Sequence, residues 1–162
     1  EASGTGNMKF AMNGALTAGT LDGANVEMAE EVGDENIYMF GYKTHEIPAM
    51  REAQSYQPWE YYHANDNIRR VMDAIAGDRF CKRDPGLFQP IFDSVMHHGD
   101  FYYHLADFQS YIDIQHVIGQ DFLDKRRWAE KAILNVARMS KFLSDRTISQ
   151  YAEEIWHAKS IA

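Results

Sequence analysis

The chain has 162 residues, 16 basic and 24 acidic side chains, a net charge of −8, and 45% hydrophobic and 13% aromatic residues. That suffices for one ordinary core and is too apolar for a disordered chain. No Lys/Arg stripe suits nucleic acid, no apolar run approaches the roughly 18 residues that cross a bilayer, and a lone cysteine, Cys81, excludes an intramolecular disulfide.

The chain opens on Glu1-Ala2-Ser3-Gly4-Thr5-Gly6-Asn7-Met8-Lys9. Two glycines flank a threonine, so the backbone can approach a ligand closely. Met8 to Leu16 reads as a short helix that ends near Asn13-Gly14. A helix start offers unpaired amides and the positive end of a dipole, which suits a phosphate. Lys9 is expected in the first turn, where the dipole disfavours a cation and so favours the amine that attacks an aldehyde. A phosphate cradle beside such a lysine is what pyridoxal phosphate requires.

Ala15 to Leu21 is expected to be a strand or extended turn, and Asp22-Gly23 turns the chain. Ala24 to Val32 reads as a helix with Val26, Met28 and Ala29 inward, stopped by Gly33. Ile37-Tyr38-Met39-Phe40 reads as a buried parallel strand. From Tyr42 onward the pattern is helical, punctuated by Pro48, Pro58, Pro85 and Pro90. Ile68, Val71, Met72 and Ile75 form one stripe ending at Gly77, and Leu87, Phe88, Ile91, Phe92 and Val95 another. Asp107 is expected to cap a helix that Gly119 ends, and Asp124 to cap the next, with Trp128, Ala132, Ile133, Val136 and Ala137 inward. Ser144 is expected to cap the last, with Ile148, Tyr151, Ala152, Ile155 and Trp156 on its core face.

Strand, helix and strand within some 40 residues match the tail of a doubly wound α/β domain. The expected division is therefore residues 1–41 as the end of an α/β cofactor-binding domain and 42–162 as its helical remainder. The missing initiating Met suggests a larger protein upstream of Glu1, and a cytosolic home is expected from the absent signal peptide and unpaired thiol. His97, His98 and His104 lack the spacing of a metal site, and no metal is expected. Tyr61, Tyr62, Tyr102 and Tyr103 read as core rims, Asp34-Glu35 as a solvated turn and Cys81 as an idle thiol.

The words Glu1-Ala-Ser-Gly-Thr-Gly-Asn-Met-Lys9-Phe, Asn13-Gly-Ala-Leu-Thr17 and Gly19-Thr-Leu-Asp-Gly-Ala-Asn-Val-Glu27 resemble the α-glucan phosphorylases of glycogen, starch and maltodextrin. The resemblance continues through Asn36 to Gly41, Met96-His97-His98, Ala106-Asp107-Phe108, and Phe142 to Ile148 with Tyr151, Ile155 and Trp156. It implies the C-terminal, Rossmann-like part of a GT-B enzyme, its N-terminal domain absent. The reaction it implies is cleavage of terminal α-1,4-glucosyl units by inorganic phosphate to give glucose 1-phosphate. Lys9 then matches the lysine bound to pyridoxal 5′-phosphate, Thr5 and Gly6 the residues holding its phosphate, and Asn7 a residue against its ring. Glu1, Ser3 and Gly4 match contacts to the glucosyl unit, with the Gly4 amide meeting the substrate phosphate. The resemblance also implies a homodimeric parent, and an inactive fragment when these residues stand alone. From the residues without the resemblance, a non-catalytic phosphate-ligand-binding module and a helical interaction module stay open as alternatives.

Overall fold

A computed structural model describes residues 4–159. In chain order the elements are α1 (Thr5–Met12), β1 (Ala18–Thr20), α2 (Ala24–Val32), a 3-10 turn (Asp34–Asn36) and β2 (Tyr38–Phe40). Then come α3 (Glu46–Glu52), α4 (Pro58–Ala64), α5 (Asp66–Ala76), α6 (Gln89–Met96), α7 (His104–Leu123) and α8 (Lys125–Arg138). A 3-10 turn (Met139–Phe142), α9 (Ser144–Gln150) and a π turn (Tyr151–Ile155) complete the described residues. The result is mostly helical, with β1 and β2 forming a two-stranded parallel sheet across the α2 crossover. Two compact units emerge: residues 4–39 with 114–159, and Phe40–Asp113.

In the first unit, α1 brings Met8, Ala11 and Met12, and α2 brings Met28, Ala29 and Val32, to one core with Ile37 and Met139. The spacing within each helix is that of a single apolar face. Polar groups are buried beside this core. Asp121 receives Tyr38 Oη–H at 2.8 Å and Lys131 Nζ at 2.8 Å, with Arg127 Nε at 3.1 Å. The Lys131 ammonium also lies 4.5 Å from the Tyr38 ring centre, and Trp128 stacks on that ring. Asn135 Nδ2 donates to Asn36 O and Lys131 O, while Asn36 Nδ2 and Arg138 donate to Val32 O, a carbonyl at the end of α2 that the helix itself leaves without a donor.

In the second unit, Ile68, Met72, Met96 and Leu105 form a core rimmed by Tyr56, Tyr61, Tyr62, Phe92 and Phe108. Asn65 caps α5 through the amides of Asn67 and Ile68. Asp100, buried, takes the Leu105 amide at 2.9 Å, the Tyr56 hydroxyl and His104 Nδ1. Gly41 has φ 81°, and a Cβ there would lie 2.8 Å from the Asp107 carboxylate.

The bounds of α2, its stop at Gly33, the end of α5 at Gly77 and the Asp124 cap of α8 match expectation, but Val26, expected inward on α2, is exposed and Val32 is buried with Met28 and Ala29. Other boundaries move for identifiable reasons. The first helix starts at Thr5, not Met8, and closes with Gly14 N donating to Ala11 O and Ala15 N to Phe10 O around a left-handed Gly14. The first strand shrinks to Ala18–Thr20, matching the three residues of its partner β2. The helix α7 continues through Gly119, whose missing side chain faces open space, so the glycine costs about 1 kcal/mol and no clash. Asp107 does not cap α7; it accepts from Tyr42 N, and Asp100 serves the helix start instead. Ser144 is the first residue of α9 and makes no side-chain cap.

The inward faces of α8 and α9 are corrected too. On α8 the buried side chains are Lys131 and Asn135, while Ile133 is 66% and Val136 45% exposed. On α9 and the π turn, Ile148, Tyr151, Ile155 and Trp156 are all exposed. Periodicity identifies an apolar face without identifying what covers it. The polar face of α8 is inward because Lys131 meets the Asp121 carboxylate and the Asn135 amide nitrogen donates to Asn36 O and Lys131 O.

Tyr38 has its phenol pushed above the ordinary range, by burial first and then by the Asp121 carboxylate. Asp121 is held below the usual carboxylate range, chiefly by the hydrogen bond from Lys131. A depressed carboxyl adds stability that is fully present above its unfolded value of about 3.9 and is lost as pH falls through the folded value. Asp121→Asn should therefore loosen this region by on the order of 3 kcal/mol at pH 7, leaving Lys131 buried without its anion. Amide exchange at residues 36–40 and 128–135 should rise about a hundredfold, and the difference from wild type should shrink below about pH 4.

Gly14, Ala132, Ile133, Val136 and Ala137 line a wholly apolar groove of about 380 Å³. An exposed apolar surface of this kind drives association. Residues 1–162 made alone are expected to scatter light above monomer mass, with Ile133→Lys plus Val136→Lys lowering that mass. A strictly monomeric unsubstituted chain would contradict this.

Candidate functional site

The front of the first unit is built around Gly4. Its backbone sits at φ 71°, ψ −1°, a left-handed conformation that glycine adopts without a Cβ penalty, and α1 begins at the next residue. Gly4, at the cap position, has no side chain to cap the helix, and the Asn7 Oδ1 accepts from the Met8 amide at 2.9 Å. The first-turn amides, those of Gly6 and Asn7 among them, have no carbonyl four residues back within the helix. A Cβ at Gly6 would meet nothing within 4 Å, so the space in front of that backbone is open.

The helix divides cleanly by face. Met8, Ala11 and Met12 join the core, whereas Thr5, Gly6, Lys9 and Phe10 are exposed. Thr5 and Lys9 are four apart and Gly6 and Lys9 three apart, which puts all three on one side of the helix within one turn. Helical side chains lean toward the N-terminus, so Lys9 leans back over the open helix start. Its ammonium makes no ion pair with any described residue.

The structure corrects one part of the expected chemistry. Because α1 starts at Thr5, Lys9 falls in its last turn, where its carbonyl accepts from Asn13 Nδ2 at 2.7 Å. That end of the dipole favours a cation, so the dipole does not favour the neutral amine. What the structure supplies is position: a lysine one turn from an uncapped helix start.

Asn7 ties this turn to its surroundings. Its Nδ2 donates to Asn25 Oδ1 at 2.7 Å, and Asn25 Nδ2 donates to Thr20 O at 2.9 Å. Thr20 Oγ1 in turn donates to Asp22 Oδ2 at 3.0 Å. A Cβ on Gly19 would fall 2.6 Å from Asn25 Nδ2, so the amide reaches the strand across a glycine. Sequence reasoning gave Asn25 and Gly19 no role. The available signal was an asparagine in the first turn of a helix that follows a Gly-Thr strand.

Of the expected site residues, Gly4, Thr5, Gly6, Asn7 and Lys9 are together at α1, while Glu1 and Ser3 lie outside the described residues. The residues present fit pyridoxal phosphate: an uncapped helix start for an anion, open space above Gly6, and an amine one turn away on the same face. Elsewhere His97 pairs with Asp93 and His104 with Asp100, and among the described residues no cluster of His, Cys, Asp and Glu is arranged to hold a metal.

Residues 1–158 match the family model of the carbohydrate phosphorylases. The chain is 55% identical over 161 residues to a glycogen phosphorylase of Synechocystis, covering 99% of this chain and 19% of that protein. It is 48% identical over 159 residues to a glycogen phosphorylase of Bacillus subtilis, covering 98% of this chain and 20% of that protein. It is 46% identical over 156 residues to the muscle form of glycogen phosphorylase of Bos taurus, covering 96% and 18%. The chain belongs to the carbohydrate phosphorylase family. It spans about a fifth of the length of these curated relatives.

Proposed function

We propose that this chain is the cofactor-carrying part of an α-1,4-glucan phosphorylase, which cleaves terminal α-1,4-glucosyl units with inorganic phosphate to give glucose 1-phosphate. The observation that carries the reading is the placement of Lys9 one turn from the uncapped start of α1, on its exposed face. Family membership over residues 1–158 supports the reaction class.

Each front residue has a role in this reading. Lys9 Nζ bonds covalently to pyridoxal 5′-phosphate. Thr5 and Gly6 hold the cofactor's phosphate, the arrangement a helix start favours, and Asn7 lies against the ring. The Gly4 amide donates to the substrate phosphate. Glu1 accepts from a glucosyl hydroxyl in a charge-assisted bond, and Ser3 contacts the same sugar. Held there, the cofactor would supply a phosphate group for acid–base chemistry beside inorganic phosphate. The protein's part is to anchor, orient and desolvate the two phosphates.

The remaining architecture follows the same reading. Residues 1–41 close a doubly wound, GT-B type domain, 42–162 form its helical remainder, and upstream polypeptide supplies the rest of the active site. The parent is a cytoplasmic homodimer acting on α-1,4-glucan. No helix among the described residues is long and apolar enough to cross a membrane.

In the full-length protein, Lys9→Ala should abolish covalent cofactor, read as loss of its near-ultraviolet absorbance and of the borohydride-trapped adduct on the peptide containing residue 9. Retention of both would overturn the reading. Glu1→Gln should leave the cofactor in place while slowing phosphorolysis, the charged hydrogen bond being worth about 1.5–3 kcal/mol, or roughly ten- to hundredfold in kcat/KM. Unchanged kinetics would remove Glu1 from the sugar site.

A further inference from the structure

An eight-residue helix is marginal by itself and takes its orientation from its neighbours. The core contacts of α1, through Met8, Ala11 and Met12, fix its depth. Apolar packing is non-directional, however, and tolerates rotation of a short helix about its axis. Such a rotation would swing Lys9 and the first-turn amides away from one another's target. A directional tie is therefore needed at the functional end of the helix.

The Asn7–Asn25 bond is such a tie. It joins the first turn of α1 to the first turn of α2, and the other half of the Asn25 amide is bonded to the strand at Thr20 O. Both polar atoms of Asn25 are thereby used with opposite polarity, the oxygen accepting and the nitrogen donating. Aspartate has the same shape but would set a carboxylate oxygen against the Thr20 carbonyl. Leucine would offer neither bond. Gly19 belongs to the same device, since any side chain there would displace the Asn25 nitrogen, 2.6 Å from its would-be Cβ.

We propose that Asn25 is a positioning residue for Lys9, acting through Asn7 to fix the rotation of α1 so that the lysine and the phosphate-binding amides engage one cofactor together. The proposal rests on the reading of Lys9 as the cofactor lysine. Asn25 touches neither cofactor nor substrate in this account; it orients the helix that does. The segment from Gly19 to Asn25 is then part of the cofactor apparatus as well as of the fold.

The experiment uses the full-length protein and compares wild type with Asn25→Asp, Gly19→Ala, Asn7→Ala and the Asn7→Ala/Asn25→Asp double variant. The readouts are the rate of cofactor release into excess hydroxylamine, followed by absorbance, and the thermal midpoints of the cofactor-loaded and stripped forms. Each single substitution is expected to speed release about tenfold and to narrow the gap between the loaded and stripped midpoints. The double variant is expected to release no faster than the worse single one, since both act on one bond. Lowering of both midpoints equally, with release unchanged, would show a purely structural asparagine and overturn the proposal. Additive effects in the double variant would do the same, because Asn25 would then not act through Asn7. Should Asn25→Asp fail to fold, Gly19→Ala displaces the same amide without placing a charge and is read by the same criteria. A wild-type protein with no covalent cofactor on Lys9 would instead overturn the underlying assignment.

Discussion

Asp121 is the group on which the first unit depends. A carboxylate this deeply buried is tolerable only with full compensation, and the Tyr38 hydroxyl, the Lys131 ammonium and the Arg127 guanidinium converge on it. Those partners come from β2 and α8, so a single anion on α7 ties the next helix to a strand 83 residues earlier. Replacing such a cluster by apolar groups can leave stability unchanged, but it removes the requirement for one particular register. Here that register carries a consequence. It sets α8 against α2 and β2, and Met139, just after α8, closes the core on which α1 rests.

The same seam explains an orphan. Asn135 is fully buried and its Oδ1 has no partner among the described residues, while its Nδ2 serves both Asn36 O and Lys131 O. An amide that turns its nitrogen toward two carbonyls points its own oxygen the other way, where no donor among the described residues meets it. The unmade bond costs on the order of 1–3 kcal/mol. It is offset by supplying a donor to Asn36 O in the segment leading into β2, which the short sheet does not provide.

How much of this was legible in the sequence depends on the kind of signal. Some glycines and caps spoke clearly: the stops at Gly33 and Gly77, the turn at Asn13-Gly14 and the Asp124 cap each act through a local backbone rule, whereas Gly119 lies within α7 and Ser144 within α9. Apolar periodicity was less dependable. It described Met28 and Ala29 correctly, yet it placed Val26 of α2 inward, where Val32 is buried instead, and Ile133 and Val136 of α8 inward, where Lys131 and Asn135 are. A stripe records that some surface covers it, whereas burial of a lysine requires a partner from outside its own helix, as Asp121, ten residues away, is to Lys131. Asp107 misled in a related way, since a carboxylate near a helix start can cap that helix or bind a loop amide, here that of Tyr42.

At the candidate site, the words were legible and part of the physics was not. Gly4, Thr5, Gly6 and Lys9 were recognisable as a set, but the helix was placed three residues late, and with it the sign of the dipole at Lys9. Moving the start to Thr5 turns an electronic argument into a geometric one. At the C-terminal end of a helix the dipole does nothing to favour a neutral amine, so any readiness of Lys9 to react must come from groups beyond α1. The contribution of α1 is to keep that amine and the Gly6 and Asn7 amides a turn apart on one short helix. Orientation of this kind is worth little when the helix is free to turn, and its value rises with the rigidity of the neighbours that hold it. The amide relay from Asn7 through Asn25 to Thr20 is a rigid neighbour of this kind, because each of its bonds has a direction that apolar packing lacks.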